Sequence, residues 1–244
     1  MKKLLYILLI MTCVSCEGDQ DGECFQSAGE TVETRIELDD FNFLEIHDLF
    51  DVYLVDDTLN ELIISAGSNL HDDIELKTKG NKLHVYNNAK CRWLRDYQRV
   101  VLTFRMKDLK FIRFRYPCYL ASRDTLRWPD LDVYCYAKVF EADLKVNNHS
   151  FTYGVNFTCA GSCFLSGKTD KLTIMNRGVH HIFADSTVSV HANITNNSNG
   201  DIHAGRTDTL EAHIWRSGNI YYFGQPEIVT RDITSTGKLI RKGE

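Results

Sequence analysis

The carboxy-terminal part of the chain repeats itself with a period of about twenty residues. Within each repeat, apolar side chains alternate with polar ones, as in Val190, Ala192 and Ile194, and a turn rich in Ser, Gly and Asn follows. The same pattern returns from Leu210 and again from Ile233. Alternation with a period of two indicates short β-strands and not helices.

A unit of two short strands cannot bury its apolar edge alone, so it must stack on a copy of itself. Stacking places equivalent residues about 4.8 Å apart, and each inward side chain then packs on the one below. Gly and Asn provide the backbone conformations that the corners need. We therefore predict an all-β fold, a parallel β-solenoid (β-helix) of short strands with Gly/Asn corners, which forms a single domain over residues 31–244.

Residues 1–15 have the pattern of a lipoprotein signal peptide. Two lysines precede an apolar run that is shorter than the roughly 18 residues a membrane-spanning helix needs. The small residue Ser15 stands before Cys16, which resembles the lipobox of bacterial lipoproteins, in which this cysteine is lipidated. We expect Cys16 to anchor the protein to a membrane, with an ordinary cleaved signal as the alternative. Residues 16–30, acidic and glycine-rich after Cys16, are expected to form a flexible tether.

Several segments of the chain match one family pattern. They are residues 41–55 with the strand 62–64, the hairpin 80–85, and residues 217–226 before the final 237–240. Together they resemble the GIN-domain family, the "putative auto-transporter adhesin head" lipoproteins of Bacteroidota. The resemblance implies a β-helical fold, an outer-membrane lipoprotein that faces the periplasm or the cell surface, and no established activity.

Residues 90–127 differ in charge from the rest of the chain. They contain eleven basic and three acidic residues, whereas the whole chain has a net charge of −5. This polarity predicts a strongly asymmetric electrostatic field. The alternation predicts that Arg113 and Arg115 face outward, with Tyr134 and Tyr136 of the next turn beside them. Arginine over tyrosine can form a surface for an anionic glycan or phosphate; the alternative is a salt-bridged face that prevents edge-to-edge aggregation.

Three further aromatic residues, Trp215, Tyr221 and Tyr222, are predicted to extend this contact area. The favoured function is a non-enzymatic envelope lipoprotein whose rigid solenoid binds a glycan or a surface protein. Nucleic acid is excluded as a partner because the protein is exported and acidic overall.

The sequence lacks the short motifs of hydrolases, phosphate loops, dinucleotide sites and zinc sites, although a β-helix enzyme needs none of them. Because the acids on the predicted faces occur singly, as Asp143, Asp170, Asp201 and Glu211, we predict no enzyme and no cofactor. A carbohydrate-active enzyme on a parallel β-helix is one alternative, and it would need two carboxylates about 5 to 9.5 Å apart. A purely structural envelope protein is the other.

Six cysteines remain after Cys13 and Cys16 are set aside, an even number that favours disulfides in an exported chain. Cys118, Cys135 and Cys159 are spaced by about one solenoid turn, so a bond across turns is possible. Burial as small apolar side chains is the alternative. The histidines of the carboxy-terminal half are expected to lie on a polar face and to bind no metal: His180, His181, His191, His203 and His213.

Four Asp-Thr or Asp-Ser pairs resemble the O-glycosylation sites of Bacteroidota lipoproteins. Their acceptor residues would be Thr58, Thr125, Ser186 and Thr209. The alternative is that an Asp-Thr pair before an apolar strand residue is favourable turn chemistry that recurs with the repeat.

Overall fold

The computed structural model describes residues 27–89, 99–156 and 159–243. The signal peptide, Cys16 and most of the tether lie outside these ranges. Within them, no helix has the length and apolar character needed to cross a membrane. The strands are β1 Thr31–Glu37, β2 Phe43–Ile46, β3 Asp51–Asp56, β4 Glu61–Gly67, β5 Ile74–Lys79, β6 Lys82–Asn87, β7 Val101–Met106, β8 Phe111–Phe114, β9 Cys118–Ser122, β10 Asp130–Cys135, β11 Val139–Val155, β12 Ala160–Asn176, β13 Val179–Asn196, β14 Ile202–Ile214, β15 Ile220–Phe223, β16 Glu227–Ile233 and β17 Leu239–Arg241.

The strands form a parallel β-solenoid of about six turns, which confirms the predicted fold class. Successive turns pair in register, so that Tyr153, Ile174, Ile194 and Ala212 stand in one column. All four side chains are buried. The period-two alternation therefore fills the inside of the coil, and the repeat supplies one apolar layer per turn.

The corners differ from the prediction of two short strands per turn. Strands β11, β12 and β13 contain 17, 17 and 18 residues and continue through a corner. The pairing of β12 with β13 shifts between Phe164 and Ser166, and that of β13 with β14 shifts between Ala184 and Val188. Such bulges bend a strand without ending it, which explains why one long strand replaces two short ones.

The amino-terminal half mixes parallel and antiparallel pairing. Strand β4 is antiparallel to both β1 and β7, and β5 forms an antiparallel hairpin with β6. The hairpin turns at Gly80 and Asn81, as the sequence predicts, because Gly and Asn suit a two-residue loop. Strands β2 and β3 pair in parallel with β8 and β9, so this half joins the same continuous sheet.

Several arginines of the basic segment 90–127 form ion pairs with acids from other strands. Arg105 lies 2.6 Å from the carboxylate of Asp57 and 2.9 Å from that of Glu61, and Arg99 lies 2.8 Å from that of Asp51. Strand β7, which contains Arg105, pairs with β3 and β4, and this pairing brings Arg105 next to Asp57 and Glu61. These ion pairs offset part of the positive charge of residues 90–127, and the asymmetric field stays a prediction, since Lys90, Arg92 and Arg95 lie outside the described residues.

Candidate functional site

Two outward columns on one side of the solenoid contain the basic and aromatic residues singled out above. Tyr134 lies opposite Arg113 in the register of β10 and β8, and Arg115 and Tyr136 each come just after the end of one of these strands. The guanidinium carbons of Arg113 and Arg115 lie 5.6 and 5.2 Å from the centre of the Tyr136 ring, which is within cation-π range. We call Arg113, Arg115, Tyr134 and Tyr136 the basic-aromatic face.

A stack of aromatic rings supports this face from one side. The ring centres of Phe43 and Phe111 are 4.5 Å apart, and those of Phe111 and Tyr134 are 5.1 Å apart. The Arg113 guanidinium also lies 5.1 Å from the Phe43 ring and 5.3 Å from the Phe111 ring. These contacts hold Arg113 in one orientation at the surface.

A buried carboxylate, Glu45, lies beneath the two arginines. Its Oε1 accepts a hydrogen bond from Arg115 Nε at 2.7 Å and lies 3.7 Å from Arg113. Burial raises the pKa of the Glu45 carboxyl. The hydrogen bond and charge of Arg115, together with the charges of His47 and Arg113, have a larger opposite effect, so the pKa is lowered overall. Glu45 is therefore ionised at neutral pH and neutralises one of the two guanidinium charges.

An open pocket of about 310 Å³ lies directly beside Tyr136. The absence of a side chain at Gly154 makes room for the neighbouring tyrosine, because a Cβ there would lie 2.5 Å from the Tyr134 ring. Arg177 closes the far side. The lining residues are Tyr134, Cys135, Tyr136, Gly154, Val155, Asn156, Met175 and Arg177.

Sequence reasoning missed Arg177, although a signal for it exists. Arg115, Tyr136, Asn156 and Arg177 are spaced 21, 20 and 21 residues apart, the period of the solenoid. In the structure, each backbone N–H of the last three donates to a carbonyl one turn below, at 2.9 to 3.0 Å. They therefore form a single column that brings Arg177 to the pocket.

The structure separates the other aromatic candidates. Trp215 lies in the same column as Arg177, two turns further along, and its Nε1 donates to Asp232 at 2.9 Å. Tyr221 pairs with His203 on a different side of the coil, and Tyr222 packs partly buried against the core. The predicted contact area is therefore split between two sides of the coil. Strand β15, which contains Tyr221, pairs with the first part of β14, whereas Trp215 follows the end of β14.

Another pocket, of about 250 Å³, lies on the Tyr221 side and brings Asp143 and Asp185 to one surface. Asp143 of β11 lies opposite Phe164 of β12, and Phe164 lies opposite Phe183 of β13. The backbones of Asp143 and Phe183 are therefore two strand spacings apart, each of about 4.8 Å. Asp185 lies two residues beyond Phe183. Asp185 contacts His203, with 3.3 Å between its Oδ1 and the His203 Nδ1.

Two of the three cysteines proposed for a disulfide lie together. The Sγ atoms of Cys135 and Cys159 are 3.3 Å apart and buried. Cys118 instead pairs in register with Phe140, and its thiol lies 3.1 Å from the carbonyl of Asp48. Burial raises the pKa of Cys118 to about 12. The disulfide stays a prediction, and its candidates narrow to Cys135 and Cys159.

The expectation that all five carboxy-terminal histidines decorate a polar face is wrong for His180. Its side chain is fully buried, and its Nε2 lies 3.0 Å from the hydroxyl of Tyr153. The reason is the alternation of β13, in which His180 shares the inward side with Ile182 and Ala184. The buried tyrosine hydroxyl provides the polar partner that makes this burial possible.

The four candidate glycosylation residues all reach the surface. Thr58 and Ser186 are exposed, and Thr125 and Thr209 are half-buried. Thr209 lies within β14, where its hydroxyl is 2.7 Å from His191 Nδ1. Their glycosylation stays a prediction.

The comparisons with known proteins agree with this fold. The family model "Putative auto-transporter adhesin, head GIN domain" matches residues 40–226. A putative adhesin from Bacteroides fragilis is similar in structure, with 16% identity, a TM-score of 0.78, and coverage of 89% of this chain and 100% of that chain. A search of curated proteins returned no match.

Two further structures show the same fold with lower TM-scores. A putative adhesin from Parabacteroides merdae has 18% identity and a TM-score of 0.56, and covers 89% of this chain and 98% of its own. A "putative lipid binding protein" from Parabacteroides distasonis has 17% identity and a TM-score of 0.61, with 89% and 99% coverage. Because the family model spans most of the chain, the protein belongs to the GIN-domain family of adhesin-like proteins.

Proposed function

We propose that this protein is a non-enzymatic envelope lipoprotein, held at the outer membrane by Cys16, whose basic-aromatic face binds an anionic glycan. The adhesin-like family and the β-solenoid support a binding role at the cell surface or envelope. Incorporation of a fatty-acid label that is lost in Cys16→Ser would test the anchor.

The observation that carries the proposed ligand is the pocket bounded by two tyrosines and Arg177, next to Arg113 and Arg115. A tyrosine ring provides a flat apolar surface and a polar hydroxyl, and a guanidinium binds a carboxylate or sulfate group through two parallel hydrogen bonds. Among the described residues, no carboxylate lies within ion-pair distance of Arg177. Its charge is therefore available to an anionic ligand.

Arg177→Ala is expected to weaken binding to anionic glycans by at least about tenfold, because a charge-assisted hydrogen bond contributes about 1.5 to 3 kcal/mol. The measurement is binding of the unlipidated protein to an array of anionic and neutral glycans and matrix proteins. Arg206→Ala, which removes an exposed arginine elsewhere on the coil, is the matched control and should bind as wild type.

The double variant Arg113→Ala/Arg115→Ala should lose the same binding, but it also leaves Glu45 buried without its ion pairs. Thermal unfolding of this variant must therefore be measured alongside. Equal binding of all variants, or binding only to neutral glycans or matrix proteins, would contradict the proposed ligand class.

A further inference from the structure

Three potential metal ligands meet where β2 lies beside β6. Glu45 pairs with His84 in the parallel register of these strands, and His47 follows Glu45 by two residues, on the same outward side. None of the three belongs to a short metal-binding motif, because the histidines are 37 residues apart in the chain. We call them the Glu-His-His cluster.

The distances within the cluster match those of a metal site. His47 Nε2 lies 3.0 Å from His84 Nδ1, and His84 Nδ1 lies 3.6 Å from Glu45 Oε2. All three ligand atoms lie within 4.8 Å of one another. Zinc binds nitrogen and oxygen at about 2.0 to 2.2 Å, which places tetrahedral ligands about 3.3 Å apart. Small side-chain rotations therefore bring all three atoms to one ion.

Neighbouring side chains hold the ligands in position. The Arg115 guanidinium binds Glu45 Oε1 at 2.7 Å, which leaves Oε2 directed toward His84. The His47 ring stacks on Tyr86, with ring centres 4.4 Å apart and an angle of 15° between the planes. Partners of this kind orient the ligands of protein metal sites and limit their movement.

The donor set also selects among metals. Two imidazoles and one carboxylate suit Zn²⁺, whereas Ca²⁺ and Mg²⁺ prefer six or more oxygen ligands. The positive charges of Arg113 and Arg115 offset the carboxylate and oppose cation binding, so affinity must come mainly from the neutral imidazoles. Three protein ligands leave the fourth position of a tetrahedral ion free for water.

We propose that Glu45, His47 and His84 bind one Zn²⁺ ion at the edge of the basic-aromatic face. None of the three ligands lines the pocket at Tyr136, but Glu45 is paired with Arg113 and Arg115 of the basic-aromatic face, so the zinc site and that face share one carboxylate. The competing interpretation is a simple hydrogen bond between the two imidazoles, which would account for the 3.0 Å contact without a metal.

The test is titration of the untagged full chain with Zn²⁺ by calorimetry, with Co²⁺ as a spectroscopic probe. We expect one Zn²⁺ per chain at this site and a visible Co²⁺ spectrum typical of tetrahedral coordination. His47→Asn and His84→Asn should each reduce the affinity by roughly 100-fold, since the loss of one ligand costs at least as much as the loss of a supporting partner. Both histidines are half-buried, so these variants are expected to fold.

His213→Asn is the matched control, because His213 also faces a carboxylate, that of Asp232 at 3.5 Å. The part of the chain that the structure describes brings no third ligand to that pair. Zinc binding should be unchanged in this variant. Absence of Zn²⁺ binding by the wild type, or binding that survives in both His47→Asn and His84→Asn, would overturn the proposal.

Discussion

Gly161→Ala is expected to lower the free energy of unfolding by about 3 kcal/mol or more. The backbone of Gly161 has a φ of +132°, a region that is almost reserved for glycine and costs other residues about 1 to 3 kcal/mol. A Cβ would also lie 2.0 Å from the carbonyl oxygen of Phe140 on the adjacent turn. Because Phe140 is fully buried within β11, its backbone has little freedom to move away.

The measurement is denaturation in urea, followed by circular dichroism, with the slope of the transition compared between variants. Gly80→Ala is the matched control: Gly80 also has a positive φ, of +61°, but its Cβ would meet nothing within 4 Å. This variant should lose only about 1 to 2 kcal/mol. An equal loss of unfolding free energy in the two variants would contradict the expectation that a side chain at Gly161 clashes with the adjacent turn.

Oxidation by hydrogen peroxide is expected to join Cys135 and Cys159 in a disulfide and to stabilise the protein by about 3 kcal/mol. The hydrogen bond from Cys135 lowers the pKa of Cys159, burial raises it and the neighbouring His180 lowers it, so that the net pKa of Cys159 lies below that of a free thiol. At neutral pH the Cys159 thiolate attacks peroxide, releases hydroxide and becomes a sulfenic acid. The Cys135 thiol then displaces water and completes the S–S bond. The reaction rate should rise with pH, because a larger fraction of Cys159 is then the thiolate.

Peptide mapping by mass spectrometry should find the two cysteine peptides linked, with the loss of two hydrogen atoms. Cys159→Ser should abolish this link, whereas Cys163→Ser, which removes a thiol whose pKa burial raises to about 12, should keep it. A link between other cysteines, or no gain in the temperature of unfolding after oxidation, would contradict the expectation.

The regular part of the fold is predictable because it depends on a period and an alternation. The column of Ile174, Ile194 and Ala212 and the hairpin at Gly80 and Asn81 both follow from local sequence. The bulges do not, since a shift of one or two residues changes the register without a distinctive motif. They determine which residues of neighbouring turns lie opposite each other at the corners, as between Ala184 and Val188.

The candidate sites were only partly predictable for the same reason. Arg113 and Tyr134 come from adjacent turns, so alternation and period suffice to place them side by side. The contact between His47 and His84 depends instead on β6 pairing with β2 after a hairpin that interrupts the solenoid period. No local pattern reveals such a pairing.

Hydroxyl-radical footprinting, with and without the glycan that the array identifies, tests most directly whether the basic-aromatic face and its pocket bind the ligand. We predict that Tyr136 and Met175, which line the pocket, become protected, while Tyr221 and Phe183 on the other side of the coil remain reactive. Protection of Tyr221 and Phe183 with no change at Tyr136 would place binding on the opposite side and contradict the account.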